Sequence, residues 1–468
     1  MTEDTNRIAR RGVLKTAGLA AVSTPLITSA GTARGTLLGG SGPSGVHIAC
    51  GSDPERSVAV GWSGGPAADA HVEYGRDGTL DTTVDANATL VPGDTLTTYS
   101  ARIVGLAPDT AYEYEVVMDG EHSERFTFET APPSPDSFRV TAVADHGIDD
   151  PDNPFQRVNT DDPIEVVERA MAQDPAFHLC IGDISYANGI PSTWELYFEE
   201  FEDFYATTPF LTVPGNHEAE PGTGLAQYDA RLNEVMPIVE DVVKLLSKQR
   251  WYDFQYGNTL FMGLNTTSED CGLPARGDEV IPIYDTRCRT ELQQLFNRVQ
   301  RNYIEETLQR AAANPAITWK VVFFHGPMWT SAPDHPSRED LRERWGTLFD
   351  EYGVDLVLSG DNHVYERTKP IVGERVKPYG RTFITNGTGG TSHYAFPSDD
   401  PADFLAARSN EFFGVTQLDI DDERIEVRYV TQDGSVHDAF AIVKDEAGRP
   451  TQTTVENAAT GGTETVTH

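Results

Sequence analysis

The pattern of apolar and polar positions along the chain changes near residue 135. From Val46 onward, short runs of alternating apolar and polar residues are separated by turn residues, a pattern that predicts the strands of a β-sandwich. The predicted strands span residues 46–50, 57–62, 70–74, 98–104, 111–118 and 124–129. No polar cluster suited to chemistry occurs there, so we expect residues 46–131 to form an all-β domain that acts as a scaffold or shield.

A different pattern begins after Pro132, Pro133 and Pro135, where apolar strands are separated by amphipathic helices. This pattern predicts a layered α/β domain over residues 137–445. The strands are predicted at 138–144, 177–182, 210–213, 251–265, 319–324, 354–359 and 382–386, with a final hairpin at 415–420 and 425–431 that joins the sheet. Helices are predicted at 163–173, 290–313 and 337–352, the last with Ser337 as N-cap and Gly353 after its end.

Both ends of the chain have the composition of segments outside the fold. Arg10 and Arg11 precede a small-residue, mildly apolar stretch, which predicts a twin-arginine export signal over residues 1–33 and a secreted or extracellular protein. That stretch falls short of the roughly 20 apolar residues that span a bilayer, and we expect no membrane span elsewhere. Residues 34–45 predict a flexible linker. The polar residues 446–468 predict a disordered tail.

The chain has a large excess of negatively charged residues. The chain has 36 Lys and Arg residues against 73 Asp and Glu residues, a net charge of −37, and Lys is scarce. Such a field repels nucleic acids and anionic membranes, so we expect neither as a partner. The composition resembles that of proteins from extreme halophiles, and an ordinary acidic exported protein is the alternative.

The four cysteines are too few for a disulfide framework. Cys271 and Cys288 flank a loop and are candidates for a bond outside the cell. Cys50 and Cys180 lie in apolar runs and are predicted to be buried free thiols.

Potential metal ligands follow five successive strands of the predicted α/β domain. Ligands in such folds gather at the carboxyl ends of strands. Taken singly, an Asp or Asn after a strand is an ordinary turn residue. The five positions together are far harder to explain by turns, and they are Asp145, Asp183, Asn216 with His217, His325, and Asp361 with His363.

Carboxylates, imidazoles and an amide suit Mn, Fe or Zn. More than four such ligands exceed one tetrahedral zinc and indicate two metal ions that share a carboxylate. That arrangement suits in-line displacement at phosphorus. The sequence therefore predicts a dinuclear site.

The ordered motifs around these residues resemble those of the metallophosphoesterases. They are Asp145-x-Gly147, Gly182-Asp183-x-x-Tyr186, Gly215-Asn216-His217-Glu218, His325 alone, and Gly360-x-x-His363. The placement of Tyr186 three residues after Asp183 resembles the motif of the purple acid phosphatase branch of that family. In the first domain, residues 106–112 resemble the tyrosine corner of fibronectin type III domains, and Trp62 is a predicted core residue.

The resemblance implies a role for each matching residue. One metal, favoured as Fe(III) because three anions would hold it, would be bound by Asp145, Asp183, Tyr186 and His363. A divalent ion (Mn, Fe, Mg or Zn) would be bound by Asp183, Asn216, His325 and the residue at position 361. His217 would contact the phosphate, and His335 would contact substrate and protonate the leaving group. A solvated loop histidine is the alternative for His335.

Some other residues near these motifs have weaker signals. His146, His178 and His393 are interpreted as bystanders, His178 within a strand. The glycine-rich residues 387–390 are a weak candidate for an anion-binding nest.

One position departs from the family pattern. Purple acid phosphatases usually have Gly-His-x-His where this chain has Gly360-Asp361-Asn362-His363. Either Asp361 binds the second metal as a carboxylate, or it has turned away and that metal is weakened or lost.

The sequence is compatible with three functions. The ligand set favours a phosphomonoesterase that acts on small esters. A phosphodiesterase or nucleotide hydrolase would use the same metals. A non-catalytic cell-surface binding protein is the third, motivated by the changed residue at position 361.

Overall fold

The computed structural model describes residues 42–91, 93–220, 224–239, 249–267, 291–398 and 401–455. The first described part is all β, as predicted. Its strands are β1 (Ser44–Cys50), β2 (Ser57–Gly64), β3 (Ala70–Arg76), β4 (Thr79–Asp85), β5 (Asn87–Leu90), β6 (Thr97–Val104), β7 (Ala111–Met118), β8 (Glu121–His122) and β9 (Phe126–Glu129).

These strands form two antiparallel sheets. One sheet has the order β1-β2-β6-β5, and the other has the order β4-β3-β7-β8 with β9 also paired to β7. All six predicted strands are present. Strands β4 and β5 were not predicted, because mostly exposed polar residues form them and leave little apolar alternation.

The interior of this domain is aromatic. Trp62 is buried, as predicted, and stacks on Tyr99 with ring centroids 5.6 Å apart. Tyr112 accepts a hydrogen bond at its hydroxyl from the Ala107 N–H, at 2.9 Å. This contact confirms the tyrosine corner and closes the turn before β7.

The second domain alternates strands and helices. Its strands are β10 (Ser137–Val143), β11 (Phe177–Cys180), β12 (Phe210–Thr212), β13 (Tyr252–Tyr256), β14 (Thr259–Gly263), β15 (Trp319–Phe323), β16 (Leu356–Ser359), β17 (Tyr365–Thr368), β18 (Ile371–Val372), β19 (Arg375–Val376), β20 (Thr382–Asn386), β21 (Leu405–Ser409), β22 (Gly414–Asp421), β23 (Arg424–Thr431), β24 (Val436–Lys444) and β25 (Pro450–Thr454). Its helices are α1 (Asp162–Ala172), α2 (Pro191–Glu200), α3 (Glu202–Tyr205), α4 (Ala226–Leu232), α5 (Glu291–Ala313) and α6 (Glu339–Glu351), with a 3-10 turn at Asn216–Glu218.

Two seven-stranded sheets form the centre of this domain. Their orders are β12-β11-β10-β22-β23-β24-β25 and β13-β14-β15-β16-β20-β17-β21. Phe177 of the first sheet contacts Phe254 and Phe261 of the second, with centroids 5.4 and 5.0 Å apart. Helices α1 and α6 each bury one apolar face. The predicted layered α/β fold is confirmed.

The sandwich packs directly on helices of the second domain. His47 in β1 stacks on Phe198 in α2, with centroids 4.2 Å apart. The Tyr114 hydroxyl donates to the Ala206 carbonyl at 2.7 Å, and the Val46 N–H donates to Glu202 at 2.8 Å. These contacts join the sandwich to the second domain.

Three predictions about elements were wrong. Residues 251–265 form a hairpin rather than one strand, because Gly257, at φ 53°, turns the chain between β13 and β14. Ser337 does not cap α6, since its hydroxyl exchanges hydrogen bonds with the N–H and carbonyl of Thr330. Residues 450–454, predicted within the disordered tail, form β25 because they pair with the edge strand β24.

Cys50 and Cys180 are buried free thiols, as predicted. The predicted export signal, Cys271 and Cys288, and residues 456–468 lie outside the described residues. Among the helices that the structure describes, none combines the length and apolar character that crossing a membrane requires.

Candidate metal centre

The two sheets bring their strand ends to one place. Asp145, Asp183 and Asn216 follow β10, β11 and β12 of the first sheet, while His325 and Asp361 follow β15 and β16 of the second. The central strands of each sheet run parallel, so these ends share an edge. The predicted ligand residues are buried there, apart from the partly exposed Asn216.

One group of donor atoms surrounds Tyr186. Its hydroxyl lies 3.1 Å from Asp145 Oδ1 and 3.1 Å from His363 Nε2. His363 Nε2 is in turn 3.5 Å from Asp145 Oδ1. The carbonyl of Ser392 lies 2.9 Å from His363 Nδ1 and fixes the ring orientation.

A second group surrounds His325 Nε2. This atom lies 3.0 Å from Asn216 Oδ1, 3.3 Å from Asp183 Oδ1 and 3.6 Å from Asp361 Oδ1. Its other ring nitrogen, Nδ1, lies 2.8 Å from the Ile181 carbonyl, so that Nε2 points into the site.

The two groups adjoin one another through three residues. Ligand atoms of Asp145, Asp183 and His325 all lie within 4.8 Å of one another. Metal ions bind oxygen and nitrogen ligands at about 2.0–2.2 Å, which places neighbouring ligand atoms about 3–4 Å apart. The spacing and the mixed oxygen and nitrogen donors therefore fit two adjacent metal ions.

The backbone at these residues is unusual. Asp145, Asp183, Tyr186 and Asp361 all have positive φ, between 51° and 69°. For a bulky residue such as Tyr186 this conformation is costly and persists only where the surroundings enforce it. The strand ends are thus bent to turn these side chains inward.

Charge coupling within the site is strong. Burial lowers the pKa of His325, but Asp183 and Asp145 outweigh it and raise the pKa well above its usual value. Burial raises the pKa of Asp183, yet His325 and His217 pull it below its ordinary range. The Asp183 carboxylate is thus held as an anion, the form that binds cations.

Glu218 is a residue of the site that received no role from the sequence. It is buried and accepts hydrogen bonds from the backbone N–H groups of Asp183, Ile184 and Gly215, at 2.8, 2.8 and 2.7 Å. Burial and the charge of Asp183 raise its pKa to about 8. Glu218 therefore ties the end of β11 to the end of β12.

The two predicted substrate histidines lie beside the donor groups. His217 Nδ1 donates to Asn188 Oδ1, so its Nε2 faces the site, 3.9 Å from Asp183 Oδ2. His335 Nδ1 is 3.5 Å from Asp361 Oδ1, and its Nε2 is 3.4 Å from the Tyr394 hydroxyl. His335 is therefore directed at the site, against the solvated-loop alternative.

The remaining histidines and the glycine-rich loop have structural contacts. His146 hydrogen-bonds Tyr197 and the Pro163 carbonyl, His178 lies inside β11, and His393 packs on Phe413. The anion-nest interpretation of residues 387–390 was wrong, because acceptors within the protein take the N–H groups of Gly387, Thr388 and Gly389.

The close approach of Gly387 to Asp145 gives a test of the site. A Cβ at Gly387 would lie 2.6 Å from Asp145 Oδ2 and 2.2 Å from the Asn362 carbonyl oxygen. We expect Gly387→Ala to displace Asp145 and weaken metal binding by about tenfold or more, as measured by calorimetric titration with Mn²⁺.

Gly346→Ala is the control. Gly346 lies in α6 with nothing within 4 Å of an added Cβ. The change should leave metal affinity unchanged and add up to about 1 kcal/mol of stability. Wild-type affinity in Gly387→Ala would contradict the placement of Asp145 as a ligand.

Comparisons with known proteins agree with this architecture. The calcineurin-like phosphoesterase family model matches residues 138–365, and the purple acid phosphatase N-terminal domain model matches residues 43–130. An uncharacterized protein of Mycobacterium tuberculosis is 28% identical over 286 residues, which cover 58% of this chain and 51% of the relative. Purple acid phosphatase 23 of Arabidopsis thaliana is 26% identical over 341 residues, which cover 64% of this chain and 65% of the relative.

Among solved structures, a purple acid phosphatase from yellow lupin seeds superposes with a TM-score of 0.68 at 22% identity. The match covers 87% of this chain and 75% of the lupin chain, and it shows a shared fold. The chain spans between half and two thirds of the length of the two curated relatives above.

Proposed function

This chain combines a calcineurin-like phosphoesterase domain with a purple acid phosphatase N-terminal domain, and from that premise we propose that it is a metal-dependent phosphomonoesterase. One observation carries the proposal. Donor atoms from five strand ends converge on two adjacent groups, with Asp183 and Asp145 near both. Residues that served only as turn formers would not be expected to converge on one place in this way.

The proposed metal ligands follow these groups. Asp145, Asp183, Tyr186 and His363 would hold one ion, and Asp183, Asn216, His325 and Asp361 the other. Fe(III) at the first position and a divalent ion at the second suit these donors. Bound metal ions supply positive charge for the phosphoryl oxygens and activate water as the nucleophile.

The chain's own groups bind and orient the ester. His217 Nδ1 is engaged by Asn188, which leaves Nε2 directed at the site. Burial lowers the pKa of His217, and in its protonated form the ring would present Nε2–H to a phosphoryl oxygen. His335 reaches the site from the loop that follows β15, and we assign to it proton donation to the leaving oxygen.

Small esters are the proposed substrates because the net charge of −37 disfavours polyanions. The test compares hydrolysis of p-nitrophenyl phosphate and bis(p-nitrophenyl) phosphate by metal-loaded protein. We expect the monoester to be favoured. A strong preference for the diester would establish phosphodiesterase activity instead, and no turnover of either by folded protein, across pH, salt and metal, would end the enzymatic proposal.

We also propose export through the twin-arginine route, supported by Arg10 and Arg11 ahead of a small-residue stretch. Replacing both arginines with lysine should leave precursor in the cytoplasm, as followed by fractionation and immunoblotting. Unchanged export of the double variant would remove this proposal.

The acidic composition predicts a requirement for salt. Self-repulsion opposes the folded state in dilute buffer, and at molar salt the Debye length shrinks to roughly 3 Å. Circular dichroism should show the melting temperature rising steeply between dilute buffer and molar KCl. Full structure and activity in dilute buffer would favour the ordinary acidic exported protein.

A further inference from the structure

The loop that carries His335 is held by two buried side chains from the segment that follows β16. Glu366 accepts hydrogen bonds from the Thr330 hydroxyl at 2.6 Å and from the Ser331 N–H and hydroxyl. Glu366 is 1% exposed and Asn362 is 0% exposed. Glu366 holds the start of the loop, and Asn362 holds His335 itself.

Asn362 contacts both main-chain groups of His335. Its Oδ1 accepts the His335 N–H at 3.2 Å, and its Nδ2 donates to the His335 carbonyl at 2.7 Å. A second Nδ2 hydrogen bond reaches the Thr330 hydroxyl at 3.1 Å. These partners settle the orientation of the amide, because only Oδ1 can accept and only Nδ2 can donate.

The two hydrogen bonds between the Asn362 amide and the His335 backbone resemble those that a neighbouring β-strand would make. His335 lies between Pro333 and Pro336, which have no N–H group to donate to a ladder. The Asn362 amide supplies one acceptor and one donor to the loop at His335, which lies beside the donor groups. A bidentate contact fixes both position and rotation of the main chain, whereas a single hydrogen bond leaves rotation free.

The side chain of His335 is then positioned from two sides. Asp361, the neighbour of Asn362, lies 3.5 Å from Nδ1, and Tyr394 lies 3.4 Å from Nε2. Tyr394 also stacks on His363, with ring centroids 4.1 Å apart. The same short segment, residues 361–363, therefore contributes to both the donor groups and the placement of His335.

We propose that Asn362 is a positioning residue that holds His335 where it can protonate the leaving oxygen of the ester. The proposal rests on the proposed phosphomonoesterase function and extends it. Asn362 touches no substrate atom in this scheme and acts only through His335. As a water oxygen bonds to phosphorus, the bond between phosphorus and the ester oxygen breaks and the proton of the His335 ring moves to that ester oxygen, which gives the alcohol and phosphate.

The choice of leaving group separates this role from a structural one. p-Nitrophenolate leaves readily without a proton, whereas an alkoxide such as that of glycerol 2-phosphate needs one. We expect Asn362→Ala to lower kcat for glycerol 2-phosphate by about tenfold or more, with a much smaller change for p-nitrophenyl phosphate. In a His335→Ala background, Asn362→Ala should have no further effect on either ester.

Gln300 provides a geometrically matched control. It is buried, and its side chain makes the same bidentate contact with the N–H and carbonyl of Asn265, both at 2.9 Å. Gln300→Ala should lose comparable stability but keep the wild-type ratio of the two kcat values. Asn362→Asp, which is nearly isosteric and loses the two donated hydrogen bonds, replaces Asn362→Ala if the latter does not fold.

Hydrogen exchange read by mass spectrometry gives a second measurement that needs no activity. The peptide covering residues 330–337 should exchange faster in Asn362→Ala than in wild type, and at the wild-type rate in Gln300→Ala. Equal kcat losses on both esters, a full effect in the His335→Ala background, or unchanged exchange would each overturn the proposal. If the wild type hydrolyses neither ester, the proposed function fails, and the exchange result alone decides whether Asn362 holds the loop.

Discussion

Asp361→Ala is expected to lower turnover of p-nitrophenyl phosphate by about a hundredfold or more. Asp361 is buried, and its Oδ1 lies 3.6 Å from His325 Nε2, within the second donor group. The carboxylate therefore faces the site instead of turning away from it. Removing it would take a negative oxygen donor from the proposed divalent ion and a neighbour from His335.

The choice of metal provides a finer test of the same residue. A carboxylate is a harder donor than imidazole and favours Mn²⁺, Mg²⁺ or Fe²⁺ over Zn²⁺. We expect Mn²⁺ to support more activity than Zn²⁺ in wild type, and Asp361→His to shift the preference toward Zn²⁺. Binding measured by calorimetry should follow the same order. If Asp361→Ala retains two bound metals and full activity, Asp361 is only a turn residue.

Tyr186→Phe is expected to abolish the colour of the iron-loaded protein. A phenolate bound to ferric iron absorbs visible light, and the Tyr186 hydroxyl lies 3.1 Å from both Asp145 and His363. Burial and the charges of Asp145 and Asp183 hold the pKa of Tyr186 well above its usual range. Only a strongly charged cation would deprotonate it there, so the band reports the metal directly.

Tyr197→Phe is the matched control for the colour measurement. Tyr197 is also a buried tyrosine, but it hydrogen-bonds His146 and Tyr205 rather than the donor groups. The visible spectrum should be unchanged in this variant. A band that survives in Tyr186→Phe, with circular dichroism showing an intact fold, would contradict the assignment of Tyr186 as a ligand.

The strand ends of the α/β domain were predictable because two independent signals coincide there. A short apolar run identifies each buried strand, and a polar residue such as Asp145 or His325 marks its carboxyl end. The sequence therefore predicted which residues meet, although not their distances. Elements lacking such a signal were missed, as with α2, whose buried Trp194, Tyr197 and Phe198 leave no clear polar face.

No sequence pattern indicated the residues whose side chains hold distant backbone groups. Asn362 contacts a loop residue 27 positions earlier, Glu366 contacts one 35 positions earlier, and Glu218 contacts a backbone group 35 positions earlier. No local periodicity reports such contacts, because they depend on how separate strand ends are brought together. The departure from the family motif lies at Asp361 and indicated a role for that position alone, while the structure gives contacts to Asn362 as well.

Stepwise loading of metal-free protein, with hydrolysis of p-nitrophenyl phosphate followed at each step, tests whether activity requires two metal ions. Aliquots analysed for bound metal relate the rate to the number of ions per chain. A dinuclear site predicts that the rate rises to its plateau only when two ions are bound per chain. A plateau at one ion, or full activity after complete removal of metal, would contradict it.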